Sequence, residues 1–458
     1  MDAFERELIR RSPLAACVLE TCDYMLDDAL LDSVWEDHRG RCYEDVLKFP
    51  DFLRLMRDAL IRYGGSAHAL YRELEGRQDQ PVDESNFYRK LGRMPVAVSR
   101  ALLRQCTARL EALLPGPGAC LPACFAEFDV ILCDGKKIKN AAKRLAPTRA
   151  FAGKLLGATA LVAVRARSGM AIALNDSLDG MTNDVPLVPG LMEQLRALIP
   201  GPILSVWDRQ FDDVRTLKRL SQRSGDAFVA RTKQDQRPFA VESAVDSTDA
   251  QGRRVRDEIG VLGTGQRSLR VRRVTLFRGR DEEDVVLLSN LLDRERFSAA
   301  DLLELYRRRW GIEQVFQQVT ETFSLSHLIG SKPQGTLFQF AFCLLLYNLM
   351  QVIRAYLAQD GRVLASAVSM YYLFQDVRDE LRAWAYHGSG QWPRSGRDAA
   401  ALRIRLRELL KGMWDPILYA KAADKKPRAK PGAKLRLHGG YSSVQRALEG
   451  RAKVVGAR

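Results

Sequence analysis

The sequence predicts an α/β protein: a mixed central sheet built in the order β-β-β-α-β-α-β, continued by helices, interrupted by a β-rich insertion and framed by helical N- and C-terminal regions. Three observations predict it. Between "FDVILCDGK" and "AFVARTK", apolar runs of strand length alternate with segments of helical periodicity. Both ends of the chain carry helical patterns, closed by glycine and proline stops. Residues 232–288 switch to alternating strand patterns split by glycine turns.

Composition narrows the function. A chain of 458 residues exceeds one ordinary core and predicts several domains. The net charge of +15 points to a polyanionic partner, nucleic acid or an acidic membrane surface. The opening "MDAFERELIRRSPLAACVLE" mixes acidic and basic residues and does not read as a secretory signal. The most apolar window, Phe338 to Ile353, is short for a bilayer span and holds Gln339, Asn348 and Gln351, so a buried helix is expected. The eight cysteines include no CxxC pair, and Cys120 and Cys124 have no nearby histidine, so reduced thiols in a cytoplasmic protein are expected.

Taken in chain order, residues 1–118 read as a helical N-terminal DNA-binding region. "DFLRLMRDALIRYGG" is helical up to its Gly-Gly stop. A helix from Ser66, a turn over Gly76 to Pro81 and a basic helix from Asp83 with Phe87, Tyr88, Arg89 and Lys90 resemble a helix-turn-helix; an ordinary helical hairpin is the alternative. "LLPGPGACLPAC" reads as a linker. Residues 125–231 form the first part of the sheet core, and 232–288 a β-rich insertion outside the central sheet. Residues 289–375 return to the core with a long helix, and 376–458 form a helical C-terminal region. That region ends in a basic tail from Lys421, whose prolines and glycines predict partial disorder. Its helix from Arg397 to Trp414 suits either a dimer surface or internal packing.

Two aspartates carry the chemical reading. Asp134 follows "VILC" and Asp208 follows "ILSVW", so both are expected at strand ends. In this strand order, which is that of an RNase H-like sheet, strands one and four are neighbours and the carboxylates meet. Two such carboxylates repel unless a cation separates them, and magnesium or manganese suits oxygen ligands. A structural aspartate closing a turn is the alternative for either one alone. In "LLELYRRRWGIEQVF", at about 100° per residue, Tyr306, Arg309, Glu313 and Thr320 share one helix face. Leu305, Ile312 and Phe316 form the apolar stripe beside it. Glu313 then stands at the border of the core as a third metal ligand, with Tyr306 and Arg309 positioned for a phosphate; Arg307 and Arg308 point elsewhere.

The Y-x2-R-x3-E spacing at Tyr306, Arg309 and Glu313 resembles the "YREK" signature of insertion sequence four family DDE transposases. Asp134 in "CDGK" and Asp208 in "WDRQF" match that family's aspartate boxes, and the β insertion falls where the family carries one. The resemblance covers roughly residues 45–440. It implies a catalytic triad of Asp134, Asp208 and Glu313 binding two divalent ions, Mg2+ or Mn2+, with Tyr306 and Arg309 gripping DNA phosphates. It further implies cut-and-paste transposition on double-stranded DNA, at element ends and target, by a homodimer in a synaptic complex, with no membrane partner. The sequence departs from the signature at Thr320, where a lysine is expected; threonine can donate a hydrogen bond to a phosphate but brings no charge. The insertion also lacks a tryptophan for stacking a flipped base, leaving Phe239 and Phe277 as its aromatic candidates. Two other readings stand beside an active transposase: a transposase-derived DNA-binding protein that does not cut, and an RNase H-like two-metal nuclease.

Overall fold

A computed structural model of the chain describes residue 7 and residues 9–451 apart from 43–45, 78–81, 117, 234–237, 280–281, 323–324, 326–327, 388–395, 397 and 422–439. The sheet strands are β1 (Asp129–Ile138), β3 (Ala158–Arg165), β4 (Met170–Ser177), β5 (Ile203–Trp207), β6 (Ala227–Thr232), β7 (Phe239–Thr248), β8 (Arg254–Leu262), β9 (Leu269–Leu276) and β10 (Val285–Ser289). They form a nine-stranded mixed sheet in the order β4-β3-β1-β5-β6-β10-β9-β8-β7. β1 runs parallel to β5 and β5 parallel to β6, while β3, β4 and β7 to β10 join in antiparallel pairs. A short β2 (Lys154–Leu156) pairs in parallel with β11 (Tyr441–Ser443) in a separate ribbon.

The helices are α1 (Pro13–Met25), α2 (Asp28–His38), α3 (Phe49–Ile61), α4 (Ala67–Arg77), α5 (Glu84–Gly92), α6 (Val96–Glu111), α7 (Val188–Leu198), α8 (Val214–Leu220), α9 (Ala299–Arg308), α10 (Trp310–Glu321), α11 (Pro333–Asp360), α12 (Met370–His387), α13 (Ala399–Leu410) and α14 (Val444–Leu448). They are divided by the alternation of the strands. Leu132, Val162, Leu204 and Val206 face one core, shared with α1 to α6 and α9 to α13. Ile131, Cys133, Leu161 and Trp207 face the other, beneath α7 and α8. The N-terminal helices therefore share one apolar core with the sheet. α11 is the centre of that core: it is long and apolar enough to cross a membrane, yet its most apolar window is entirely buried within the fold. Asn348 on α11 accepts from the Ala171 N–H at 2.9 Å and donates to the Ala171 carbonyl and to Thr107, each at 2.8 Å, which ties α11 to β4 and α6.

The structure departs from the sequence reading in four places. The insertion is not separate from the sheet: β10 pairs with β6, and β9, β8 and β7 extend the same sheet outward. β10, "VVLLS", is buried at every position, as a strand flanked on both sides must be. β1 does not end at Asp134 but continues to Ile138. The arginine-rich helix is two helices, broken at Arg309, where the Arg309 N–H bonds to the Tyr306 carbonyl three residues back at 3.0 Å. The basic C-terminal segment falls mostly outside the described residues, but residues 440–451 dock, with Arg446 2.8 Å from Asp179. α13 packs Leu402, Leu406 and Leu410 inward against α1 and α11, the internal-packing alternative.

Asn348 sets up a stability test. Replacing it by Leu strands the buried Ala171 N–H, while the Thr107 hydroxyl still donates to the Ala171 carbonyl at 3.2 Å. Asn348→Leu is expected to lower the unfolding free energy by about 1–3 kcal/mol, read from urea denaturation. A loss below about 0.5 kcal/mol would show that water reaches this N–H.

Candidate active site

The site begins with a mismatch in strand length. β1 pairs with β5 from Asp129 opposite Ile203 to Leu132 opposite Val206, where that ladder stops. β1 runs on, held by β3, with Asp134 opposite Val162. Asp134 is thus inside its strand, at the point where the β5 side opens. Asp208 is the first residue after β5, on the same face as Val206 and Leu132. The facing helix pair supplies the rest. Ser298 caps α9 by accepting from the Asp301 N–H at 3.1 Å. Leu302, Leu305, Ile312 and Phe316 bury against the sheet, which turns Tyr306, Arg309 and Glu313 toward the two aspartates.

Arg309 is the hub. Its guanidinium lies 2.6 Å from Glu313 and 3.4 Å from Asp134, and the side chain is only 8% exposed. The Tyr306 hydroxyl donates to Asp208 at 3.2 Å. Arg309 also stacks by the Tyr306 ring, 5.5 Å from its centroid. Burial disfavours the charge on Arg309, but Tyr306, Asp208, Glu313 and Asp134 outweigh it and raise its pKa. The Asp134 carboxyl is pushed up to about 6, mainly by burial and further by Asp208 and Glu313; Arg309 and the Gly135 N–H oppose that shift. Burial, with a contribution from the Asp208 charge, also raises the Tyr306 phenol, against Arg309.

All five residues singled out in the sequence therefore come together, although Tyr306 and Arg309 hold carboxylates in this structure. Thr320 does not face the site as a free donor: its hydroxyl donates to the Phe316 carbonyl at 2.7 Å. Arg308 donates to the Cys120 carbonyl, and Arg307 to Glu304 at 3.4 Å, away from the site as expected. Two neighbours went unnoticed in the sequence. Lys136 follows Asp134 on the same strand face, its ammonium 5.4 Å from the Phe316 ring centroid. Burial and Lys139 hold Lys136 below the ordinary lysine range, while Asp134 and Glu321 pull the other way. Asp184, buried on the opposite face, accepts from Gln210 at 3.0 Å and lies 3.6 Å from Lys137. A Cβ at Gly135 would collide with its carboxylate, so the glycine of "CDGK" marked this contact.

The donor set is three carboxylates from separate elements, with no thiolate or imidazole, which fits hard divalent cations. Among the described residues no group of three acidic, cysteine or histidine side chains is close enough as placed to enclose a metal ion. The Arg309 cation lies among the carboxylates instead. The residues fit such ions in chemistry, and taking them in requires Arg309 to yield.

Residues 127–349 match the family model described as the transposase DDE domain, a span that includes β1, β5, α9 and α10. No curated protein matches. Among solved structures, a cryo-EM structure of the piggyBac transposase synaptic complex with hairpin DNA is similar at a TM-score of 0.41 and 12% identity, over 92% of this chain and 88% of that one. A likeness that slight carries no argument about the site. The DDE domain match is what assigns DNA transposase activity to the chain.

The raised Asp134 pKa gives a pH signature. The folded state holds its proton up to about pH 6, the unfolded chain only to about pH 4. Stability attributable to this group is thus present at and below about pH 4 and is lost as pH rises to about 6, a change of about 2–3 kcal/mol. Asp134→Asn cannot ionise. Without divalent ions, its urea midpoint is expected to exceed that of the wild type at pH 7.5 and to match it near pH 4. A difference that stays constant across this range would show that Asp134 is not the group responsible.

Proposed function

We propose that this DNA transposase, whose DDE domain spans residues 127–349, cuts at the ends of its mobile element and joins them to target DNA through Asp134, Asp208 and Glu313. The observation that carries this reading is the convergence of the three carboxylates on one buried cation, Arg309. A site that gathers three carboxylates needs positive charge, and Arg309 supplies part of it. Two divalent ions, Mg2+ or Mn2+, held by the three carboxylates would activate the attacking water or 3′-OH and stabilise the leaving 3′ oxygen. The chain's own residues then do the rest. Tyr306 orients Asp208, β1 and β5 fix the aspartates side by side, and Arg309, released from Glu313, turns its charge to a DNA phosphate.

The Tyr306, Arg309 and Glu313 spacing, with the strand order around β1 and β5, supports an RNase H-like core of the insertion sequence four type. Residues 1–118 would contribute end recognition, 125–231 and 289–375 the catalytic core, 232–288 the insertion, and 376–458 a basic region for further DNA contact. Terminal inverted repeats as substrate, a homodimer assembled on two ends and a cytoplasmic site of action complete the reading. The net charge of +15 supports the DNA partner and implies affinity that falls steeply with salt.

The test is cleavage of a duplex carrying the inverted repeats that flank the gene, with Mg2+ or Mn2+. Wild type is expected to cut at the ends. Asp134→Ala, Asp208→Ala and Glu313→Ala should each lose at least about 100-fold in rate while still binding the duplex. Binding without cutting by the wild type would favour a DNA-binding remnant, and cutting indifferent to end sequence a nuclease. Arg309→Ala is expected to lower cleavage more than DNA affinity; equal losses would make it a general phosphate contact.

A further inference from the structure

The carboxylates of the catalytic face have several cations beside them; Arg209 and Arg231 pair with Glu283, and Lys136 is the one left without an ion pair to a described residue. Arg309 is committed to Glu313 and Asp134. Lys136 makes no ion pair or hydrogen bond with any described residue, and its ammonium lies over the face of Phe316, 5.4 Å from the ring centroid. Lys136 is two residues beyond Asp134, so the two side chains leave the same face of β1 about 7 Å apart along the strand. Phe316 is on α10, three residues after Glu313 and one turn before Thr320. The ammonium is thus held between the strand that bears Asp134 and the helix that bears Glu313, half out of water, without a counter-ion. Such a cation is costly unless a ligand anion completes it.

The chemistry of the site says which anion. A phosphodiester entering beside three carboxylates meets repulsion and needs positive charge on the same face. The helix does not supply it past Glu313, because Thr320 is uncharged and its hydroxyl is bonded to the Phe316 carbonyl. We propose that Lys136 binds a backbone phosphate of the DNA strand in the active site, supplying from β1 the charge that α10 lacks at Thr320. This rests on the reading of the carboxylates as a DNA-cutting site. It adds a phosphate-binding residue, delivered by the sheet rather than by the arginine-bearing helix.

The test uses the full chain and three variants. Lys136→Met keeps the aliphatic stem against Phe316 and removes the charge. Lys136→Arg keeps the charge, and Lys136→Met with Thr320→Lys offers it from the helix. Single-turnover cleavage of end DNA is expected to fall about 10- to 100-fold in Lys136→Met, to stay within about 3-fold in Lys136→Arg, and to recover most of the loss in the double variant. Without divalent ions, the slope of log affinity against log salt should shrink by about 1 for Lys136→Met. Wild-type cleavage with an unchanged salt slope in Lys136→Met overturns the proposal. So does a loss in Lys136→Arg as large as that in Lys136→Met, which would make the residue a packing element. If the wild type cuts no end DNA, the functional reading fails, and the salt slope alone still decides whether Lys136 contacts a phosphate.

Discussion

The geometry of this protein turns on a buried guanidinium. Arg309 is almost fully enclosed, and a lone arginine there would cost several kcal/mol in desolvation. It is tolerated because carboxylates from β1 and α10, and Asp208 after β5, surround it. The same condition fixes the positions of those elements relative to one another, since moving any of them away leaves charge unmatched. At the helix break the Arg309 N–H bonds to the Tyr306 carbonyl, and its side chain lies between Glu313 and Asp134. The carboxylates in turn repel one another and are desolvated, which is why Asp134 holds its proton unusually well. The site is strained towards accepting more positive charge than one arginine brings.

The sheet makes room for that arrangement by letting β1 outrun β5. Up to Leu132 both strands are paired and their side chains pack into the core. Beyond it β1 has a strand neighbour only on the β3 side, while Asp134 and Lys136 face α10 and the helix break, beside Arg309 and Phe316. An unpaired strand flank would ordinarily be loose. Here the reverse face secures it, since Asp184 lies against Gly135 and reaches both Lys137 on β1 and Gln210 just after β5. The two aspartates are thus held on one face by packing on the other.

Much of this was legible beforehand, and the misses have physical reasons. β1, β3, β4, β5 and β6 and the helices between them were visible because strands buried on both faces read as continuous apolar runs. The grouping of Asp134, Asp208, Tyr306, Arg309 and Glu313 followed from spacing and strand order. The extent of β1 was not visible, because Asp134, Gly135, Lys136 and Lys137 are polar or small and imitate a turn. The helix break was hidden because Arg309 keeps helical backbone angles and the apolar stripe continues across it. The insertion was misjudged for a similar reason. Its alternating, charge-rich strands resemble a free hairpin, and only the all-apolar β10 hinted that the module continues the sheet.

That continuity has a mechanical consequence for the site. Arg272 on β9 is fully buried and bonds Asp257 on β8 at 2.9 and 2.6 Å, and it donates to the Phe297 carbonyl immediately before the Ser298 cap of α9. Arg294 reaches the same aspartate at 3.3 Å. The insertion is therefore fastened by charge to the start of the helix that ends at Arg309, as well as by hydrogen bonds to β6. A buried ion pair of this kind adds little net stability, since desolvation offsets most of its attraction, but breaking it by removing one partner is expensive. Its effect is to specify geometry. With the insertion held to the entry of α9 and the carboxylates held to Arg309 at its exit, this helix links the outer strands of the sheet to the charge balance of the site.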